Sequence, residues 1–222
     1  MSKKELTAMQ RFEENFKQIA RKCSAFESWQ RFIYILAYEI AFASGNLSIP
    51  FDKTAKTYKA EVEDDFETYC ACFEAYYEIV CENQFQDVLG SIFMQLGIGN
   101  EAGGQFFTPY HIAQVVADAA EVEDKDGIIR VSEPSCGAGA NVIAFCEACH
   151  KKGIDYQRKV LFECQDVSEL TALMCYIQLS FLGAAAKIIV GDTLRQEKRY
   201  ELITPIMAYE PCWVIRGIRH EW

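Results

Sequence analysis

Apolar residues recur along the first eighty positions at spacings of three and four. Leu6, Met9, Phe12, Phe16, Ile19 and Cys23 make one stripe, the pattern of an amphipathic helix with a single buried face. A second helical run over 26–43 carries Trp29, Phe32, Ile33, Leu36 and Ile40 and stops at Ser44-Gly45-Asn46. Residues 46–58 break the period and read as a loop. A third stripe, from Val62 through Phe66, Tyr69, Cys70, Phe73 and Tyr77 to Val80, predicts a long helix whose acidic start, Glu61 to Glu67, suits the helix dipole. A short helix over Asp87–Leu96 and a Gly-rich hinge at 97–104 follow, so residues 1–100 are expected to form a helical bundle with an aromatic core.

Beyond the hinge the pattern changes to strands alternating with helices. Thr108 as N-cap and Pro109 as first helical residue predict a helix reaching about Ala120. After an acidic link at 121–126, the β-branched run Ile128, Ile129, Val131 ends at Glu133, turns through Pro134, Gly137 and Gly139, and enters a helical pattern over 141–149. That is strand, tight loop, helix. Lys159 to Val167 is a second strand with Asp166 at its carboxyl end, and the stripe Leu170, Leu173, Met174, Ile177, Phe181 is the helix after it. Ala186 onward is a third strand, ending Gly191-Asp192-Thr193-Leu194, and 202–208 offers a poorer fourth. The alternation predicts an α/β fold with a parallel sheet, in a second domain over 101–222.

Composition narrows the class. Half of the 222 residues are hydrophobic and 13% are aromatic, which excludes a disordered chain. Ten cysteines without an apolar leader or a membrane-length run point to reduced thiols in a cytoplasm, with no membrane association. Cys70 and Cys72, and Cys146-x-x-Cys149 beside His150, lack a second pair at metal spacing and read as packing residues, so no metal is expected. A net charge of −10 excludes a general nucleic-acid platform, because phosphate contacts come from Lys and Arg. Residues 3–31, with seven basic side chains against four acids, are the most basic stretch and read as a solvated helix face.

The chemistry concentrates on the glycine loop. Glycines at 137 and 139 allow positive φ and close approach of a ligand to backbone, and the next helix offers free N–H groups. Glu133 faces the crevice beyond the strand ends, where open α/β sheets bind ligands; its charge repels phosphate and attracts an ammonium or a hydroxyl. A dinucleotide loop would want a third glycine, and Val142 stands there.

The stretch Glu133-Pro134-Ser135-Cys136-Gly137-Ala138-Gly139-Ala140 resembles the first motif of the adenine-N6 DNA methyltransferases, in the group that contains the modification subunits of type I restriction systems. The segment Gln105-Phe106-Phe107-Thr108-Pro109 resembles the same family's upstream cofactor segment, which closes over the methionine end of S-adenosylmethionine (SAM). The resemblance covers roughly residues 87–195 and implies a SAM-dependent, Rossmann-like sheet. It implies cofactor contacts from Phe107, Thr108, Pro109, Glu133, Pro134, Gly137 and Gly139, a ribose ligand in Asp166, and an adenine site at Asp192 with Leu194 against the ring. As the residue before a helical stripe, Asp166 also reads as a helix N-cap, which is compatible with that role.

Where the family has Asn or Asp followed by Pro-Pro and an aromatic, at the end of its fourth strand, this chain has none. The nearest match is Tyr209-Glu210-Pro211-Cys212-Trp213, which makes Glu210, Pro211 and Trp213 the weak candidates for a catalytic role. The family sheet has seven strands and only three or four are found here, so the sheet is expected to be truncated with an open edge. The resulting expectations are a DNA adenine-N6 methyltransferase or a catalytically degenerate SAM-binding subunit or regulator. DNA would be reached through a partner subunit, and a homodimer or hetero-complex would cover the sheet edge with Trp213 and Trp222 as anchors.

Overall fold

The structure is a computed structural model, and it describes residues 6–46, 48–98, 107–120, 122–124 and 127–215, with the side chains of Val214 and Ile215 excepted. Gln105, Phe106, Trp222 and most of the hinge lie outside these residues. The amino-terminal half is helical: α1 (Ala8–Ile19), α2 (Ala25–Ala43), α3 (Asp52–Glu61), a 3-10 turn at Glu63–Asp65, α4 (Phe66–Glu82) and α5 (Val88–Gln95). Thr7 and Ser24 start the first two helices with capping boxes, each closed by the side chain three residues on, Gln10 and Glu27. The predicted stripe of α1 is the buried one: Phe12, Phe16 and Ile19 are all at most 3% exposed.

One expected loop is a helix. Residues 52–61 form α3, which the apolar pattern missed because only Ala55 is buried within it. The helix is held by Ala55 and by Tyr58, whose ring meets Tyr34 of α2 edge-on with centroids 5.6 Å apart, while on its polar face Lys56 pairs with Asp52 one turn back and Lys59 reaches Glu39 of α2. The third stripe also begins later than expected, since Val62 belongs to the end of α3 rather than to α4.

The second half comprises α6 (Tyr110–Ala119), β1 (Ile129–Glu133), α7 (Ala140–Lys151), α8 (Tyr156–Lys159), β2 (Val160–Asp166), α9 (Glu169–Leu182), β3 (Ala185–Val190), β4 (Tyr200–Ile203), α10 (Ile206–Tyr209) and α11 (Pro211–Ile215). The four strands lie in sequence order β1-β2-β3-β4. The first three are parallel, with Val131 opposite Phe162 and Phe162 opposite Ala186. β4 runs antiparallel to β3, from Tyr200 opposite Val190 to Ile203 opposite Lys187. Thr204 then stops the strand, its hydroxyl donating to the Ala184 carbonyl at 2.6 Å and accepting from the Ala186 N–H at 2.9 Å.

The side chains on one face of the sheet, among them Val160, Phe162, Cys164, Ala186, Ile188 and Val190, belong to a single apolar core with α7, α9 and the amino-terminal helices. That core crosses residue 100, so the boundary expected there does not divide the packing. On the other face Leu161 and Ala185 meet Met207 and Trp213 from the carboxyl-terminal helices. Among the described residues no helix is long and apolar enough to cross a membrane.

Candidate functional site

Three parallel strands place three carboxylates at one end of the sheet. Glu133 closes β1, Asp166 closes β2, and Asp192 follows β3 by two residues. Between the first two lies the loop 134–139. Gly137 and Gly139 both adopt left-handed backbone, with φ of 52° and 103°, which a side chain would strain. The spaces their missing side chains would fill are not alike. A Cβ on Gly137 would come 3.2 Å from the ring of Phe107, and one on Gly139 would come 3.1 Å from the sulfur of Cys175. The Gly139 side therefore faces the interior, against α9, so that a side chain there would strike the protein rather than enter a ligand's space.

Asp166 is the fixed point of the loop. Its carboxylate accepts from the Gly137 N–H at 2.8 Å, from the Ser168 N–H at 2.9 Å and from the Thr171 hydroxyl at 3.0 Å. It thus ties the glycine loop to the start of α9. An ionised carboxylate has about four lone-pair sites, so one acceptor position remains for a ligand. Glu133 accepts from the Asn141 side-chain amide at 3.1 Å and more weakly from the Ser135 N–H at 3.4 Å. The other end of that amide, Asn141 Oδ1, is buried and has no donor among the described residues. Residue 141 was not singled out from sequence; its signal was position alone, two residues into the helix behind an uncapped glycine N-terminus.

Around these groups the loops close on one another. Thr193 donates from its hydroxyl to the Pro134 carbonyl at 2.6 Å, joining the turn after β3 to the turn after β1. Asp192 organises its own turn by accepting from the Leu194 and Arg195 N–H groups at 3.0 and 3.1 Å. Leu194 is left 97% exposed beside it. Phe107 packs on Phe93 with ring centroids 5.1 Å apart, and so the upstream segment does meet the glycine loop. Thr108 and Pro109 are exposed. The cap is displaced by one residue from expectation: Pro109 is the N-cap of α6 and Tyr110 its first residue, with no side-chain hydrogen bond from Thr108. The physical reason lies in the Pro109 carbonyl, which already accepts from the N–H groups of Ile112 and Ala113 at 2.9 and 3.2 Å.

Beneath the loop sit Cys136, Cys164 and Cys175, all buried. Hydrogen bonds to Cys136 and Cys164, with burial, hold the Cys175 thiol well above its ordinary pKa. These thiols are packing residues, and Cys146 and Cys149 on α7 are likewise buried. Among the described residues no group of three or more His, Cys, Asp or Glu is arranged to hold a metal.

Glu210, Pro211 and Trp213 are not brought to this site. Because β4 is antiparallel, the chain leaves it at the amino ends of β2 and β3. There Glu210 pairs with Arg158 at 3.2 Å, and the Trp213 indole N–H donates to the Gln157 carbonyl at 2.7 Å. Trp213 is 1% exposed, which makes it a core residue of this chain rather than an anchor offered to another.

Residues 83–213 match the family described as N-6 DNA Methylase. The chain belongs to that family. A DNA adenine-N6 methyltransferase-like function follows from the membership, and the family's members depend on SAM. The matched span starts at the residue that follows α4 and takes in α5, which ties the end of the helical half to the methylase unit. No curated protein and no solved structure matched the chain.

Proposed function

We propose that the chain binds SAM across the carboxyl ends of β1, β2 and β3 and serves the methylation of adenine N6 in DNA, in the cytoplasm. The observation that carries this reading is the set of three carboxylates, Glu133, Asp166 and Asp192, at adjacent strand ends around a left-handed glycine loop. Three acids disfavour a phosphate-bearing nucleotide and favour a ligand with an ammonium, a sulfonium and ribose hydroxyls. Donors and acceptors divide accordingly. Glu133 and the unpartnered Asn141 Oδ1 suit an ammonium, the remaining acceptor site of Asp166 suits a ribose hydroxyl, and Asp192 with the exposed Leu194 suits an adenine amino group and ring face. Pro134 and Phe107 bound the loop from either side, and the free N–H groups at the start of α7 suit a carboxylate. SAM supplies an electrophilic methyl on its sulfonium; the chain's own part is to bind and orient it and to exclude water.

Holding the adenine is a separate task, and the residues with the nearest sequence match lie at the other end of the sheet. That placement favours the reading of this chain as the cofactor-binding member of a DNA-modification complex. The outer flank of β1 pairs with no strand among the described residues, and Ile112, Val115 and Val116 on α6, which packs on α7, are 45%, 66% and 58% exposed. An unpaired strand edge, like an exposed apolar helix face, is a recognised association surface. We propose that it takes a hetero-partner that carries the adenine-holding residues, since a second copy would bring none.

The test is calorimetric titration with SAM alongside transfer of labelled methyl groups to adenine-containing DNA. Binding of SAM with negligible transfer by the chain alone is the expected result. Absence of binding would refute the cofactor site, and vigorous transfer by the isolated, monomeric chain would refute the need for a partner.

A further inference from the structure

The glycine loop is held from behind by a residue far from it in sequence. Gln178 of α9 is 5% exposed, and Asp87 and Ala138 are similarly buried. One hydrogen of the Gln178 amide goes to the Ala138 carbonyl at 2.8 Å, in the middle of the loop, and the other to Asp87 Oδ1 at 2.7 Å. The amide oxygen accepts from the Leu89 N–H at 3.0 Å. Asp87 is the N-cap of α5 and uses the same Oδ1 to accept from the Gly90 N–H at 2.9 Å. A single buried amide thus joins the first turn of α5 to the peptide between the two left-handed glycines. A parallel apolar route runs through the rings of Trp29, Phe93 and Phe107, with centroid separations of 6.1 and 5.1 Å, to the face of Gly137.

Nothing in the packing of α9 requires a glutamine at this point, since the neighbouring buried positions of the helix are mostly apolar. A buried amide left without partners is costly, and an apolar side chain of the same length would avoid that demand. The geometry of three satisfied bonds, all leading either to the loop or to the cap of α5, gives the residue another use. We infer that Gln178 is a positioning residue for the cofactor loop, which sets the Ala138 peptide, and through it the loop's left-handed path, from the N-terminus of α5.

The helical half of the chain is then part of the site's machinery, although none of its described residues is assigned to the cofactor. Gly90 makes the strut sensitive at a distance: a Cβ there would fall 2.1 Å from Asp87 Oδ2, pushing away the carboxylate that holds Gln178. As a ligand effect this rests on the proposed SAM site; as a statement about the loop it does not.

The experiment compares the full chain with Gln178→Met, Asp87→Leu, Asp87→Asn and Gly90→Ala. Amide hydrogen exchange of residues 136–141 is measured without ligand, and SAM affinity by calorimetry. Gln178→Met and Asp87→Leu should speed exchange at the hydrogen-bonded Gly137 and Gly139 amides by about tenfold or more and weaken SAM by a similar factor, the loss expected for one to two buried hydrogen bonds. β2 and the remainder of α9 should be unmoved. Asp87→Asn keeps an acceptor at Oδ1 and should restore both readouts, whereas Gly90→Ala should reproduce the loop effect without touching loop or amide. Unchanged loop exchange in Gln178→Met overturns the inference, and so does a uniform rise across the sheet or a collapse of the fold in both Gln178→Met and Gly90→Ala. A wild-type chain that ignores SAM defeats the cofactor reading alone, because the exchange data still judge the strut.

Discussion

The two ends of the sheet are built from opposite kinds of residue. At the carboxyl ends of β1 to β3 stand Glu133, Asp166 and Asp192, partly exposed and engaged with loop N–H groups. At the amino ends of β2 and β3, Leu161, Ala185, Met207 and Trp213 close a dry cluster. Strand direction separates them. Three parallel strands deliver every residue that follows them to the same end, while one antiparallel strand, β4, carries the next ten residues to the other. A short motif such as Glu-Pro-Cys-Trp therefore has no chemical meaning until the direction of the strand before it is known.

The largest effect should come from the dry end. Trp213 is buried against Leu161 and Ala185 and donates to Gln157. Trp213→Ala should lower stability by about 3–5 kcal/mol, the usual loss for a buried aromatic, read as a shift of the urea midpoint. SAM affinity of the folded fraction should stay as in the wild type. Lost binding at an unshifted midpoint would break the comparison, because it would put Trp213 at the ligand.

At the polar end the corresponding change is Asp166→Ala. It removes an acceptor from Gly137, Ser168 and Thr171 together and should cost about 2–3 kcal/mol, the range for charged hydrogen bonds lost from one group, while SAM binding disappears. A variant that binds normally would show that Asp166 only caps α9.

A third measurement uses the thiols beneath the loop. Hydrogen bonds to Cys136 and Cys164, then burial, raise the Cys175 pKa well above its ordinary value of 9.0. The sign follows from the raised folded value. Below the pKa of the unfolded thiol both states hold the proton and the contribution is fully present; as pH climbs past it, only the unfolded chain releases the proton and stability falls. The slope is about 1.4 kcal/mol per pH unit for one such group. Wild type should lose more stability between pH 8 and pH 10 than Cys175→Ala does, and equal losses would show that the thiol titrates as if in water.

Legibility differed between these regions for physical reasons. The stripe of α1 and the strand ending in Glu133 were readable because each buries one face with the period of its element, whereas α9 and β3, buried nearly all round, were readable as apolar runs between turns. α3 was not, since a helix that buries only Ala55 in full leaves no apolar stripe. The two glycines announced a loop, but not that the space beside Gly139 belongs to Cys175. Likewise Gln178 and Asp87, 91 residues apart in sequence, carry no local signal of the bonds that join them. The direction of β4 was the costliest omission, because pairing partners decide it and periodicity does not.

The smallest effect belongs to Glu210, and it sharpens the comparison most finely. Its carboxylate pairs with Arg158, whose side chain is 60% exposed, at the amino end of the sheet. Exposed pairs of this kind contribute at most about 1 kcal/mol, and commonly less than half of that, because water screens the charges and both side chains keep their entropy when unpaired. Glu210→Gln should therefore barely move the denaturation midpoint and leave SAM affinity unchanged. It should also leave unchanged whatever methyl transfer a complex containing this chain performs, since a carboxylate at the far end of the strands cannot reach an adenine placed beside the glycine loop. A drop in transfer rate with unaltered SAM affinity and stability would mean that the carboxyl-terminal segment reaches the reacting base after all, and that the polarity of β4 does not keep the two ends apart.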